Sequence, residues 1–340
     1  MEISTIGLDI AKSVFQVHGV DSDGEVTVTR RLRRGEMLRF FARLAPCVVG
    51  IEACATAHYW ARELRVLGHD VRLIPPAYVK AYVRRGKSDA IDAAAICEAV
   101  QRPGMRTVPV KGVSEQAILC LHRVRSQLVA QRTRFINLLR AQMAEFGFTA
   151  PVGPEKLGAL TDILTDEADS RLPSPARLAL REVAQSITEL NARLAEINKA
   201  IQIEHKADPA SQRLATQPGV GPIIASAFRA SVADPTHFRS GRHFAASLGL
   251  TPRQHSTGGK ERLGRISKMG DRYLRMLLVM GATSVLHQAR HYRRPEHAWI
   301  LRLLQRRPPR VVITAIANKM ARVMWALMVT GEQYRVPACA

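Results

Sequence analysis

The sequence predicts a mixed α/β domain, a long helical coiled-coil segment and a mainly helical C-terminal domain. Three observations carry that expectation. A three-strand pattern followed by alternating helix and strand signals opens the chain, a heptad repeat occupies its middle, and its final third is strongly basic. At 340 residues the chain can bury a sizeable core, and the expected domains are 1–108, 109–204 and 205–340.

The opening run STIGLDIAKSVFQVHGV alternates β-branched and apolar residues in two stretches, turns at DSDG and resumes as EVTVTRRL. Period-two alternation around a tight turn gives three antiparallel strands. A helix is expected near 35–45, a buried strand over CVVGIEA, a helix near 57–68, a strand over DVRLIPP and a helix from Asp89 to about Gln101. A meander followed by alternating helices and strands folds as one mixed sheet.

In the middle, Leu180, Val183, Ile187, Leu190, Leu194, Ile197 and Ile201 recur at alternating spacings of three and four, a heptad seam. Leu121, Val124, Leu128, Phe135 and Leu138 fit the same register, with Gln131 as a polar break, on a second long helix over 114–146. The two helices can pair within the chain, or the seam can pair with another subunit.

Fifty Lys and Arg against 29 Asp and Glu leave a formal net charge of +21. Residues 205–340 alone hold 22 basic and 6 acidic side chains, a net +16. Such an excess points to a polyanion, nucleic acid first. Five cysteines, Cys47, Cys54, Cys97, Cys120 and Cys339, are odd in number and form no CxxC pair. They read as reduced packing residues in a cytoplasmic protein. The late apolar run VVITAIANKMARVMWALMV is broken by Lys319 and Arg322, so no membrane segment is expected.

Candidate chemistry begins at RRGKSDAID, residues 84–92, where Asp89 and Asp92 follow a basic run. Ser88 can cap a helix with Asp89 in its first turn. Asp92 lies on the same helix face three residues on, where two carboxylates repel unless a cation lies between them. Asp9 stands in an otherwise apolar first strand and Glu52 ends the buried strand VVGIE, both at odds with their neighbours. Together the four acids form a set that a pair of Mg²⁺ ions can use to hold the attacking and leaving oxygens of a phosphodiester.

Two further segments suit phosphate. The turn QPGVGP exposes backbone N–H groups of Gly219 and Gly221 at the start of a helix, a helix-hairpin-helix-like arrangement. The loop TPRQHSTGGKERLGRISK is glycine-rich and basic, carrying Arg253, Lys260, Arg262, Arg265 and Lys268 around Ser256. From the residues alone, Ser256 is either a nucleophile or a simple hydrogen-bond donor to phosphate.

The order GLDIAK, GIEA, KSDAIDA, QPGVGP and LGLTPRQHSTGGKERLGRISKMGDRYLRMLL resembles the DEDD insertion-sequence transposases over nearly the whole chain. The resemblance implies an RNase H-like, RuvC-like fold for the N-terminal domain, with Asp9, Glu52, Asp89 and Asp92 as its Mg²⁺ ligands. It also implies a serine nucleophile in the C-terminal domain that forms a phosphoserine link to DNA. Target and donor DNA are the implied substrates, a noncoding bridge RNA the implied guide. Where the family serine can directly precede glycine, this chain has Thr257, with Ser256 one position earlier. The expectation falls on Ser256, because threonine's methyl group crowds its hydroxyl. Holding two duplexes calls for a homo-oligomer, a dimer or tetramer. The alternatives are a RuvC-like hydrolytic nuclease or Holliday-junction resolvase without a covalent intermediate, and a noncatalytic nucleic-acid scaffold that would not need the four acids.

Overall fold

A computed structural model describes residues 2–83, 88–292 and 294–336. The basic run 84–87 and Cys339 lie outside the described residues. The chain divides into two compact units, Met1–Val113 with Val232–His237, and Ser114–Ser231 with Phe238–Ala340.

The first unit comprises β1 (Thr5–Ile10), β2 (Val14–Val20), β3 (Val26–Arg33), α1 (Met37–Phe41), β4 (Val48–Glu52), α2 (Ala57–Val66), β5 (Asp70–Ile74), α3 (Pro76–Val79) and α4 (Asp89–Gln101). The five strands form one sheet in the order β3-β2-β1-β4-β5. The β1–β2 and β2–β3 pairs are antiparallel, and the β1–β4 and β4–β5 pairs are parallel. This is the RNase H-like topology, as expected.

Strand alternation sorts the side chains by face. Ile6 and Leu8 of β1, with Val49 and Ile51 of β4, are fully buried in one core with Phe41 of α1 and Trp60, Ala61 and Leu64 of α2. The alternate residues Gly7 and Gly50 face α4 instead. A Cβ on Gly7 would lie 2.1 Å from the Ala93 carbonyl oxygen, and one on Gly50 2.9 Å from Val100 Cβ. Two bare positions therefore let α4 lie directly on the sheet.

The second unit is α5 (Val113–Ala144), α6 (Gly158–Thr165), α7 (Ser174–Ala207), α8 (Pro209–Ala215), α9 (Pro222–Ser231), α10 (Gly241–Ser247), β6 (Pro252–Gln254), β7 (Leu263–Ile266), α11 (Arg272–Tyr292), α12 (Ala298–Leu304) and α13 (Pro309–Thr330). The heptad seam of α7 is buried at Leu180, Ile187, Leu190, Leu194 and Ile201. It pairs within the chain. Arg125 donates to Asn198 at 2.7 Å and Arg132 to Asn191 at 3.1 Å, an antiparallel register between α5 and α7.

On α5 the expected register holds only in part. Leu121, Leu128 and Phe135 are half-buried, but Val124 and Leu138 are 41% and 43% exposed, while Leu139 and Met143 are fully buried. A straight helix drifts about 20° per heptad from a strict seven-residue repeat, so over 32 residues the buried stripe moves off the extrapolated one. The connection between the helices is also structured: Leu160 and Leu164 of α6 join the core of the hairpin's end.

Near the start of α5, His122 is 1% exposed. Its Nδ1 lies 3.1 Å from the Tyr273 hydroxyl of α11 and its Nε2 3.1 Å from the Ser226 hydroxyl of α9. Burial pushes the imidazole down to about 4, with the Arg125 charge adding to the shift. Helix α13 has the length and composition of a membrane span, alone among the described residues. Its Val312, Ile316, Ala317, Met320, Ala321 and Met324 are buried, and it packs on α10 and α11. Of the cysteines, Cys47 and Cys97 are packing residues, but Cys54 and Cys120 are exposed, because neither lies on the buried stripe of its segment.

Candidate active site

Gly7 and Asp9 lie two residues apart on β1, and Gly50 and Glu52 two apart on β4, so each acid shares the α4 face of the sheet with its glycine. The pairing of Leu8 with Ile51 brings the ends of the two strands side by side. Above them α4 begins. Ser88 caps it, its hydroxyl accepting from the Ile91 amide at 3.3 Å, and Asp89 and Asp92 occupy the first turn. Since Ala93 and Cys97 cover Gly7, the preceding turn with Asp92 and Asp89 extends toward Asp9.

The electrostatics agree with this convergence. The Asp9 carboxyl is pushed up to about 6, first by burial and then by the charges of Asp92, Asp89 and Glu52. Glu52 is raised as well, by burial and by Asp92. Among the described residues, no three acid, histidine or cysteine side chains are drawn into a ready-made ligand shell. The donors nevertheless fit a hard divalent cation, being all carboxylates, carried by three elements and mutually repelling in a partly desolvated corner.

Ser256 belongs to the other unit. The segment expected as a loop is a β-hairpin: Pro252 pairs with Ile266 and Gln254 with Leu263, and a bridge joins Thr257 to Lys260. Gly258 and Gly259 form the turn with φ of 53° and 76°. Two successive positive φ values are what a two-residue hairpin turn with the right twist requires, and glycine accepts them without a Cβ clash. The half-buried Ser256 hydroxyl oxygen accepts from the Arg262 amide at 3.2 Å, and the His255 amide donates to the Arg262 carbonyl at 2.8 Å.

Arg253, Lys260, Arg262, Arg265 and Lys268 are all exposed along this hairpin. Lys268, at its base, has a φ of 56°, the described chain's one non-glycine residue in the left-handed region. Such a conformation costs about 1–2 kcal/mol and is concentrated at functional sites.

The Pro-Gly turn joins α8 to α9 as expected. A Cβ on Gly219 would lie 2.5 Å from Val285 of α11, so its bare α-carbon serves packing, whereas Gly221 faces open space. Sequence reasoning did not single out Gly7, Gly50 or His122. The strand glycines had a readable signal, each standing two residues before an acid.

A sheet of this topology with acids at its strand ends and at a facing helix start, in one chain with a basic helical unit, has the make-up of the RNase H-like proteins that act on nucleic acid. Comparison with known proteins agrees. Residues 6–148 match a DEDD transposase family of the IS110 type, and residues 211–297 match the family described as "Transposase IS116/IS110/IS902 family". The chain is 50% identical over 336 residues to a "Probable family 20 transposase" of Pseudomonas aeruginosa, covering 98% of this chain and 99% of that protein. It is 37% identical to the transposase for insertion sequence element IS1328 of Yersinia enterocolitica, covering 98% of each. It is also 37% identical to that for IS1111A of Coxiella burnetii, covering 99% of this chain and 93% of that one. The chain belongs to the IS110/IS116/IS902 family of transposases, and DNA is its substrate.

Proposed function

We propose that this transposase cuts and rejoins DNA strands with Mg²⁺ held by Asp9, Glu52, Asp89 and Asp92, and with Ser256 as nucleophile. The observation that carries the reading is the convergence of four carboxylates from β1, β4 and the first turn of α4, which shows in Asp9 being pushed up to about 6, first by burial and then by the charges of Asp92, Asp89 and Glu52, a repulsion that bound cations relieve. Bound Mg²⁺ would supply charge neutralisation at the phosphodiester oxygens. Asp9 and Glu52 offer ligands from fixed strands, and Asp89 and Asp92 from a capped helix turn.

Ser256 Oγ would bond to phosphorus as the P–O bond to a deoxyribose oxygen breaks, the proton the serine gives up balancing the one the leaving sugar oxygen takes on, and rejoining would reverse the exchange, conserving the ester. Its bond from the Arg262 amide orients the oxygen and leaves the hydroxyl proton free to depart. Arg253, Lys260, Arg262, Arg265 and Lys268 would hold the backbone phosphates, with Gly221 offering open backbone at the Pro-Gly turn. The reading extends to guidance by a noncoding RNA and to a homo-oligomer that holds donor and target duplexes together.

A suicide DNA substrate incubated with the protein and then denatured tests the nucleophile. The expected result is a protein–DNA adduct mapping to Ser256 and absent from Ser256→Ala, which should still bind DNA. An adduct at Thr257 would move the nucleophile by one residue. Free cleaved ends without any adduct would make water the attacking group.

A further inference from the structure

Within the second unit, a cavity of about 330 Å³ opens between the Pro-Gly turn, α12, α13 and the C-terminal segment. Its lining includes Gln217, His297, Trp299, Arg302, Lys319 and Tyr334, and one carboxylate, Glu296, which lies 3.9 Å from Arg294. Ile316 and Met320 add buried apolar surface. Its size is near the lower end of the roughly 300–1,000 Å³ typical of small-ligand sites, room for one planar ring system and too little for a duplex.

Two features separate it from a packing defect. Gln217 and His297 are only 5% and 7% exposed, yet among the described residues the Gln217 side-chain oxygen and the His297 Nδ1 have no hydrogen-bond partner. An unpaired buried polar atom costs about 1–3 kcal/mol, and these two lie just behind the wall of one cavity, where a ligand reaches them as the wall gives. Second, the Lys319 ammonium lies 4.5 Å from the centre of the Trp299 ring and makes no ion pair among the described residues. Burial and the nearby Arg322 charge lower its pKa, as befits a cation without an anion. Tyr334 is held at the rim by its amide, which donates to the Thr216 hydroxyl at 3.0 Å.

Aromatic walls and two cations, Lys319 on the Trp299 ring and Arg302, in a segment of net charge +16 match one chemistry. We propose that this cavity receives a single unpaired nucleobase, stacked on Trp299 or Tyr334. Its edge would lie over Gln217 and His297, whose unpaired atoms it would reach once the wall opens, with the adjoining phosphate on Lys319 and Arg302. Unstacked bases are recognised in this way, by an aromatic platform and hydrogen bonds to their edges. The inference rests on the reading that this third of the chain binds nucleic acid.

The test uses the full-length protein and two single-stranded probes of one sequence, DNA and RNA, each carrying one iodouracil. After irradiation, cross-links should map to Trp299 or Tyr334, and the more efficient probe identifies the strand that supplies the base. Trp299→Ala should weaken single-strand binding about tenfold, Trp299→Phe should keep most of the affinity, and duplex binding should be unchanged in both. Tyr334→Ala, outside the helices, repeats the test without touching the core. Cross-links elsewhere, with single-strand affinity unchanged in both alanine variants, overturn the pocket while salt-dependent binding leaves the nucleic-acid reading intact. A wild-type protein that binds no nucleic acid overturns both.

Discussion

Gly7 and Cys97 meet where α4 crosses β1: a Cβ on residue 7 would lie 2.4 Å from the Cys97 amide nitrogen. The contact is backbone against backbone, so neither side can give by turning a side chain. Gly7→Ala should push α4 off the sheet, lower stability by about 1–3 kcal/mol in urea unfolding and reduce strand cleavage at least tenfold. Gly35→Ala, with open space around its α-carbon, should change neither by much. Equal behaviour of the two variants would mean that α4 does not depend on this approach.

Asp9 links stability to pH. Its folded pKa of about 6 exceeds the ordinary 3.8, so folding takes up a proton between those values and ionised Asp9 opposes folding fully above about pH 6. In metal-free protein at pH 7.5, Asp9→Asn should therefore raise stability, by about 1 kcal/mol once solvent screening of a half-buried group is allowed for. Added Mg²⁺ should raise the melting temperature of the wild type and not of the variant, which should also lose cleavage. A destabilised Asp9→Asn protein, or equal melting shifts with Mg²⁺, would remove Asp9 from the proposed centre.

His122 acts in the opposite direction. Its folded pKa of about 4 lies below the ordinary 6.5, so its contribution is fully present above pH 6.5 and is lost as pH falls toward 4. The loss should total roughly 3.5 kcal/mol, at about 1.4 kcal/mol per pH unit. His122→Gln should flatten the acid limb of the stability profile. An unchanged limb would assign it to other groups.

Much of the architecture was readable from local pattern. The meander and the alternating strands follow from period-two hydrophobicity, and Asp9 and Glu52 stood out because a carboxylate conflicts with an apolar strand. The heptads of α7 gave its buried face, whereas on α5 the same register failed at Val124 and Leu138 through the drift of a straight helix. The His122 network was not readable, since its partners lie 104 and 151 residues away along the chain. The glycine-rich segment looked like a loop because the sequence lacks a clean alternation there, and the pairing of its two arms emerges only with the Gly258–Gly259 turn.

The basic hairpin gives a salt-dependent prediction. Arg253→Ala, Arg262→Ala and Arg265→Ala should each weaken DNA binding and reduce the slope of log affinity against log salt by about one. Substitution at exposed Arg193, paired with Glu189 on α7, should leave the slope unchanged. Identical slopes in all four variants would place the DNA elsewhere.

Because the hairpin's exposed strands end in a two-glycine turn, its length acts as a ruler with a parity rule. On the turn side of the register shift between Pro252 and Gln254, each pair of opposed residues removed shortens the arm by about 3.3 Å and turns every residue beyond it to the opposite face. Removing one pair below Ser256 would thus reverse the serine as well as draw it back. Removing two pairs would restore its facing about 7 Å short of its present reach. Length changes in this arm are constrained to even steps if the serine is to keep its facing.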